Sequence, residues 1–405
     1  MPTLLQISIE VNSGSVGRIA EQIGQIAIQQ GWNSYITYAR NHLPSQSKTI
    51  KIGSKFDVYW HGINTRLFDN HCLCSTGATK KLLKQMDQIK PDIIQLHHIH
   101  GYFLNMCVLF DYLAKLDIPI IWIFHDCWSF TGHCAYFDYI GCDKWKTQCR
   151  HCPQKREYPA SMVQDRSRKN YELKKRLFNS VKNMTIVPVS YWLEELVKES
   201  FLNKYPVHVI QNGVDIDIFS PQPNIGQIKE KYGVNDKFLL LGVAGIWEQR
   251  KGMQDFIVLS RHLEKDFQII LVGLTKKQIK KLPKNIIGVE RTESVKELAQ
   301  LYSAADLFIN PTWEDTFPTT NLEALACGTP VVTYRTGGSV ESVSEDTGFV
   351  VNKGDITALC NVINVVKQKG KTFYAENCRK RAVSLYNKHD RFNEYIDLFN
   401  RLLQK

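Results

Sequence analysis

Trp313-Glu-Asp-Thr-Phe-Pro-Thr-Thr-Asn-Leu-Glu-Ala-Leu-Ala-Cys-Gly-Thr-Pro-Val-Val-Thr-Tyr334 follows an apolar run, Leu307-Phe308-Ile309, that reads as a short buried strand. A polar loop broken by Pro318 comes next. Thr319 or Thr320 then suits the cap of a helix, with Glu323 on its first turn. Gly328 ends that helix and Pro330 opens a second strand, Val331 to Tyr334. Two strands therefore flank a loop and a helix N-terminus, whose free N–H groups and positive dipole end suit a phosphate. Thr319, Thr320 and Asn321 stand at that end. Asp315 on the loop and Glu323 on the helix are eight positions apart. Ionised carboxylates only accept hydrogen bonds, so the pair suits a hydroxyl-rich ligand such as a ribose or hexose.

Outward from this stretch, the second half alternates strand-like runs with helical patterns. Phe238 to Ala244, Gln268 to Val272 and Ile286 to Val289 read as strands, and Gly252 to Leu263 and Val295 to Ala304 as helices. At the end of the first strand stands Gly245-Ile-Trp-Glu-Gln-Arg250-Lys251-Gly252. An Arg fork and a Lys point charge beside a helix start form a clamp for a diphosphate. Glu290 to Glu293 fills the next strand end, and Thr336-Gly337-Gly338-Ser339 reads as another tight turn. From Ile356 to Leu403 the pattern is helical, with breaks near 370 and 387.

The first half repeats the alternation. Leu4 to Ile9, Tyr35 to Ala39, Ile93 to Leu96, Ile120 to Phe124, Ile186 to Val189 and Val207 to Ile210 are the expected strands, with helices such as Gly17 to Gln30 and Lys80 to Ile89 between them. This is the pattern of a parallel sheet covered on both faces, which binds ligands at the carboxyl ends of its strands. Asn12-Ser-Gly14-Ser-Val-Gly17-Arg18 occupies the first such end, where small residues let backbone approach a ligand. His97-His98-Ile99-His100-Gly101 and His125-Asp126 occupy two others, where a ring nitrogen can donate to substrate oxygens. His125 is the stronger candidate for chemistry, and His100, placed on the acceptor side, is the weaker one.

An insert follows: Thr131-Gly-His-Cys134, Gly141-Cys142 and Cys149-Arg-His-Cys152-Pro153. Cys-x-x-Cys has the spacing of half a tetrahedral zinc site, and Cys134 and Cys142 can supply the other thiolates. His133, His151 and Cys127 are possible substitutes. A structural zinc would staple a loop too poor in apolar residues to fold by burial. Between Arg166 and Lys182 stand seven Lys or Arg against one Glu, with Leu173, Leu177 and Val181 every four positions. This predicts an amphipathic basic helix, a solvated face or a contact for anionic lipid.

At 405 residues the chain is expected to hold two domains. The expected bounds are 1–220, 221–385 and a C-terminal helix over 386–405, with Pro221 and Pro223 marking the first junction. No run of about 18 apolar residues appears, so no membrane-spanning helix is expected, and the first residues read as a strand and not a signal peptide. The expected location is cytoplasmic, peripheral at the inner face of a membrane. The net charge of +11 favours anionic partners: a nucleotide-sugar or an anionic membrane surface. No recognised nucleic-acid motif accompanies the basic helix, so no nucleic-acid partner is expected. Eleven cysteines in an unexported chain are expected to be reduced.

The Asp315 to Glu323 stretch, with Cys327-Gly-Thr-Pro-Val331, resembles the signature of the retaining glycosyltransferases of family 4. Lys251-Gly252 and Asn212-Gly-Val-Asp215 are similar to that family's diphosphate and interdomain motifs. The first acid of the signature is usually Glu and here is Asp, one methylene shorter. Arg250 stands beside Lys251, while the family's usual Arg position holds Ile246. The resemblance implies a GT-B fold, two doubly wound Rossmann-like α/β domains facing across a cleft, with the last helix packing back on the first domain. It implies that Asp315 and His125 hold the transferred sugar and Glu323 the nucleotide ribose. Lys251, Arg250 and the helix start would hold the diphosphate, and Gly14 and Gly17 would touch the donor phosphates or the acceptor. The acceptor would be a glycan or lipid-linked, as in cell-surface polysaccharide assembly. No catalytic metal is expected, since no Asp-x-Asp is evident. A Cys-rich loop similar to 134–152 occurs in some bacterial polysaccharide glycosyltransferases. Two other functions fit the same fold: a nucleotide-sugar 2-epimerase, or a non-catalytic sugar-nucleotide-binding subunit of an assembly complex.

Overall fold

Short, apolar, β-branched runs bounded by turn residues form every central strand of the computed structural model, which describes residues 1–404. Thr3–Ile7 (β1), Asn33–Tyr38 (β2), Lys48–Lys51 (β3), Ile93–Leu96 (β4), Ile120–Phe124 (β5) and Met184–Pro188 (β6) pair in the order β3-β2-β1-β4-β5-β6. Phe238–Val243 (β7), Phe267–Val272 (β8), Ile286–Val289 (β9), Leu307–Asn310 (β10), Val331–Tyr334 (β11) and Gly348–Val351 (β12) pair in the order β12-β11-β10-β7-β8-β9. Every pairing in both sheets is parallel. The two orders are the same when each sheet is numbered from its own first strand. Each therefore has one topological switch point, between β1 and β4 and between β7 and β10, where the loops leave on opposite faces and open a crevice.

The chain divides between Ile210 and Gln211. Residues 1–210 and the segment beginning at Phe392 form one unit, and Gln211–Arg391 the other. In the first unit Phe399 of the last helix packs on Trp32 at 5.7 Å, and Gln30 donates to Asn393 at 2.7 Å. No helix among the described residues is long and apolar enough to cross a membrane.

Several elements depart from the sequence reading. Val207 forms only an isolated bridge to Ile186, not a strand. β3 and β12 are edge strands absent from the sequence reading; in β3 only Ile50 is buried. Thr319 and Thr320 do not cap the helix Thr319–Ala326. Pro318 precedes it, both threonines lie in its first turn, and Glu323 comes one turn later. The basic helix is Ser167–Phe178, and its Lys174 is not available to a lipid surface. The Lys174 side chain is 2% exposed and donates to the carbonyls of Trp128 (2.7 Å) and Thr131 (3.1 Å), with its ammonium 3.3 Å from the Trp128 ring centre.

A second enclosed ammonium ties the site-bearing strands together from below. Lys371 donates to the carbonyls of Ser303 (2.5 Å) and Ala305 (2.8 Å), at the end of the helix before β10, and to Thr329 Oγ1 (2.8 Å), just before β11. Burial lowers its pKa from 10.5 to about 8. In the unfolded chain the amine keeps its proton up to its ordinary value, so folding releases a proton between about 8 and 10.5. Stability from this site therefore rises with pH across that window. The stability advantage of wild type over Lys371→Met is expected to grow between pH 7 and pH 10 in urea unfolding.

Candidate active site

In the second unit the loops after β7 and β10 lie against each other. Gly252 has φ +76°, and a Cβ there would stand 2.1 Å from the Pro311 carbonyl oxygen, so only glycine permits the contact. The adjoining backbone is stitched by Trp313 N–H to the Arg250 carbonyl at 2.7 Å. The Arg250 guanidinium reaches the Glu314 carbonyl and the Glu248 carboxylate, each at 3.1 Å. Lys251 forms an ion pair with Asp315. The loop after β11 closes on the same residue: Gly337, at φ +48°, brings its Cα to where a Cβ would be 1.9 Å from the Asp315 carbonyl oxygen, and Gly338 N–H donates to that oxygen at 3.2 Å. Three segments distant in sequence thus converge on Asp315.

Asp255 supports this arrangement, and its role is not visible in the sequence pattern. Its two oxygens accept from Trp313 Nε1 (2.9 Å) and the Tyr334 hydroxyl (3.0 Å). Glu323 is half-buried and accepts from the Tyr302 hydroxyl at 2.9 Å. Asn321, expected at the donor site, instead has a fully buried side chain. Its Oδ1 accepts from Asn310 (2.8 Å) and its amide donates to Ser339 (3.2 Å) and Ser342 (2.9 Å). Those bonds use its donors and an acceptor, so the side chain braces β10 and the β11 turn.

In the first unit the switch point carries histidines and a glutamate. Glu10 was not singled out from the sequence, yet its carboxylate oxygen lies 2.8 Å from where a Gly14 Cβ would be. The first turn of the helix Gly14–Gln29, where the sequence suggests a loop, thus borders a carboxyl group, which suits a hydroxyl better than a phosphate. Asp126 Oδ2 lies 3.0 Å from His100 Nε2 and 3.3 Å from His98 Nε2, and its Oδ1 accepts from Trp128 N–H at 2.9 Å. Burial alone would raise the Asp126 carboxyl, but these neighbours hold it well below the usual carboxylate range. His100, expected on the acceptor side, is 4% exposed and contacts the Tyr158 hydroxyl at 3.1 Å, so it braces the strand end. Among the described residues, His98, His100 and Asp126 are the trio whose ligand atoms all lie within 4.8 Å of one another.

The proton on His125 can be traced. Gln6 Nε2 donates to the Ala20 carbonyl at 2.9 Å, which fixes the amide so that its Oε1 faces His97 Nε2 at 3.0 Å. His97 must therefore carry its proton on Nε2, because burial pushes its pKa down to about 3 and keeps the ring neutral. His97 Nδ1 is then an acceptor, and His125 Nε2, at 3.2 Å, is the donor. Burial likewise lowers the His125 pKa well below its ordinary value. The neutral ring has its one proton turned inward, and Nδ1 carries a lone pair. Where the sequence reading expects a donor, this tautomer donates through Nε2 to His97 and leaves Nδ1 as an acceptor.

Cys134, Cys142, Cys149 and Cys152 line one cavity with His133, Phe137, Lys144 and Trp145. His151 and Cys127, the other ligands considered, are not on its wall.

Nitrogen-detected NMR of labelled histidine is expected to show His125 as the Nε2–H tautomer at pH 7. Gln6→Leu removes the acceptor that sets the relay, and a mixed or Nδ1–H signal is expected in that variant.

The sequence profile of Glycosyltransferase Family 4 matches residues 18–218, and that of Glycosyl transferases group 1 matches residues 237–367. Over 425 residues the chain is 22% identical to WcaC of Escherichia coli K12, a protein named as a glycosyl transferase of colanic acid biosynthesis, covering 98% of this chain and all of that one. Over 220 residues it is 24% identical to UDP-Gal:alpha-D-GlcNAc-diphosphoundecaprenol alpha-1,3-galactosyltransferase of Escherichia coli, covering 51% of this chain and 57% of that protein. Sucrose-phosphate synthase from Thermosynechococcus elongatus superposes with a TM-score of 0.75 at 16% identity over 100% of both chains. That likeness shows a shared fold, GT-B.

Proposed function

The chain belongs to the family 4 glycosyltransferases, and we propose that it transfers a sugar with retention of configuration from a nucleotide-sugar to a glycan or lipid-linked acceptor in cell-surface polysaccharide biosynthesis. The observation that carries this reading is the Lys251–Asp315 contact at the β7–β10 switch point, with Arg250 beside it. In the reaction the bond from C1 to the phosphate oxygen breaks, a bond from C1 to the acceptor oxygen forms, and the acceptor's hydroxyl proton passes to the departing diphosphate. Negative charge develops on the departing diphosphate. Lys251, Arg250 and the N–H groups of Thr319 and Thr320 stabilise it there, the kind of term that usually dominates catalysis. An arriving diphosphate competes with Asp315 for the Lys251 ammonium, which leaves the carboxylate to hold sugar hydroxyls. Glu323 holds the ribose, and His125 accepts from a hydroxyl. Asp315 and Glu323 belong to one loop-helix unit, which argues against a pair of carboxylates facing each other about 5 Å apart across the sugar.

The relatives named for colanic acid and for a diphosphoundecaprenol-linked acceptor support the polysaccharide context, and the second supports a uridine nucleotide as the first donor to test. Calorimetry over UDP-, GDP- and ADP-sugars identifies the donor. With it, Lys251→Ala is expected to lower kcat/KM by about 10²–10³, the effect of losing one charge-stabilising group. Turnover is expected to be unchanged by added magnesium. Donor consumed without any acceptor, with an isomerised sugar released, would mean a 2-epimerase; tight donor binding with no turnover on any acceptor would mean a non-catalytic subunit.

A lipid-linked acceptor places the enzyme at an anionic membrane surface on the cytoplasmic side. Helix Lys55–Phe68 supports this, because it exposes Phe56 (72%), Tyr59 (70%) and Trp60 (54%) on one face, with Lys55 and Arg66 exposed beside them. Aromatic rings of this kind favour the headgroup level of a bilayer. The helix Ser167–Phe178 adds exposed Arg168, Lys169, Lys175 and Arg176. Flotation with anionic vesicles is expected to show association that weakens in Phe56→Ser/Trp60→Ser and becomes salt-resistant in Lys175→Gln/Arg176→Gln. Binding that neither pair alters would remove the membrane from the reading.

A further inference from the structure

We propose that the insert between β5 and β6 holds a structural zinc ion on Cys134, Cys142, Cys149 and Cys152. The four thiols come from three short segments, spaced C-x7-C-x6-C-x2-C, and all four line one cavity. None is in a disulfide. A soft four-sulfur set selects zinc among the common divalent ions.

One other residue on the wall points to charged sulfur. Trp145 is 1% exposed, and its Nε1–H is buried without a hydrogen-bond partner. Buried N–H groups are rarely left so, and a thiol is a weak acceptor. A zinc-bound thiolate carries negative charge and accepts such an N–H bond, which in turn orients the metal's ligands. His133, 2% exposed on the same wall, donates from Nδ1 to Asp69 at 2.6 Å, which fixes its ring.

The remaining wall also fits a metal better than apolar packing of thiols. A zinc ion with four thiolates has two net negative charges, and Lys144 and Arg150 both line the cavity. Lys144 donates to the carbonyls of Arg150 and His151, each at 3.1 Å, which fixes the turn that carries Cys149 and Cys152. Trp145 packs on Phe130 (5.2 Å) and Phe137 (5.0 Å), an apolar floor that excludes water. The Cys134 and Cys152 thiols already hydrogen-bond to each other, but the four sulfurs do not converge on a point, so binding draws them together until each lies about 2.3 Å from the ion. The thiol protons leave to solvent. The ion would pin the segment that runs from the His125–Asp126 strand end to Cys134.

Protein purified in reducing buffer without chelator is expected to carry about one zinc per chain by elemental analysis. Cobalt(II) exchanged into the site is expected to give sulfur-to-cobalt charge-transfer absorption and the intense visible bands of a tetrahedral ion. Cys149→Ser and Cys152→Ser are expected to lose the metal, and Cys360→Ser, on the helix Ile356–Lys369, to keep it. A wild-type measurement covers the case of variants that do not fold: an organomercurial should release zinc in step with the modification of four thiols. Less than about half an equivalent after zinc supplementation overturns the proposal. So does a Cys134–Cys152 disulfide in protein kept reduced, or zinc retained in both serine variants.

Discussion

The second unit depends on how closely two loops approach at its switch point. Lys251 reaches Asp315 because the backbone after β7 lies directly on the backbone after β10, with no side chain between Gly252 and Pro311. Gly337 repeats the device from the β11 side. Placing charged groups by backbone contact costs little conformational entropy when the ligand arrives, because loops fixed in this way have little freedom left to lose. Asp255 and Asn321 then serve one purpose: each satisfies polar groups that these crowded loops would otherwise bury unpaired.

The first unit solves a different problem with the same strand order. Its switch point is packed with histidines, and a chain of hydrogen bonds fixes the protons of His97 and His125. The Ala20 carbonyl sets Gln6, Gln6 sets His97, and His97 sets His125. Asp126 does the complementary work, holding a full negative charge among His98, His100 and the Trp128 N–H. Buried networks of this kind specify one arrangement only while every member is satisfied.

The parallel sheets were legible because strands covered on both faces read as continuous apolar runs; β4, β5, β10 and β11 stand close to where the pattern puts them. The Lys251-Gly252 and Asp315–Glu323 positions were legible because charge beside a strand end has few structural uses. The edge strand β3 was missed because Lys48–Lys51 is buried at one residue only. The N-cap was misplaced because hydroxyl residues beside a proline look like caps, whereas Pro318 takes that position and its fixed φ starts the helix. Lys174 was counted with a solvated charge run, since periodicity alone does not reveal that one lysine finds two carbonyls and a ring inside. Asp255, Tyr302 and Glu10 gave no local signal at all; their partners are 21 to 79 residues away or across a loop.

The inward proton of His125 has a chemical consequence. With Nε2–H committed to His97, Nδ1 offers an electron pair and no hydrogen, so whatever lies against it has to be a donor. Under the proposed transfer a free sugar hydroxyl meets that requirement. The same sugar capped as a methyl ether, or carrying fluorine at that carbon, would keep nearly the same shape but oppose one electron pair with another.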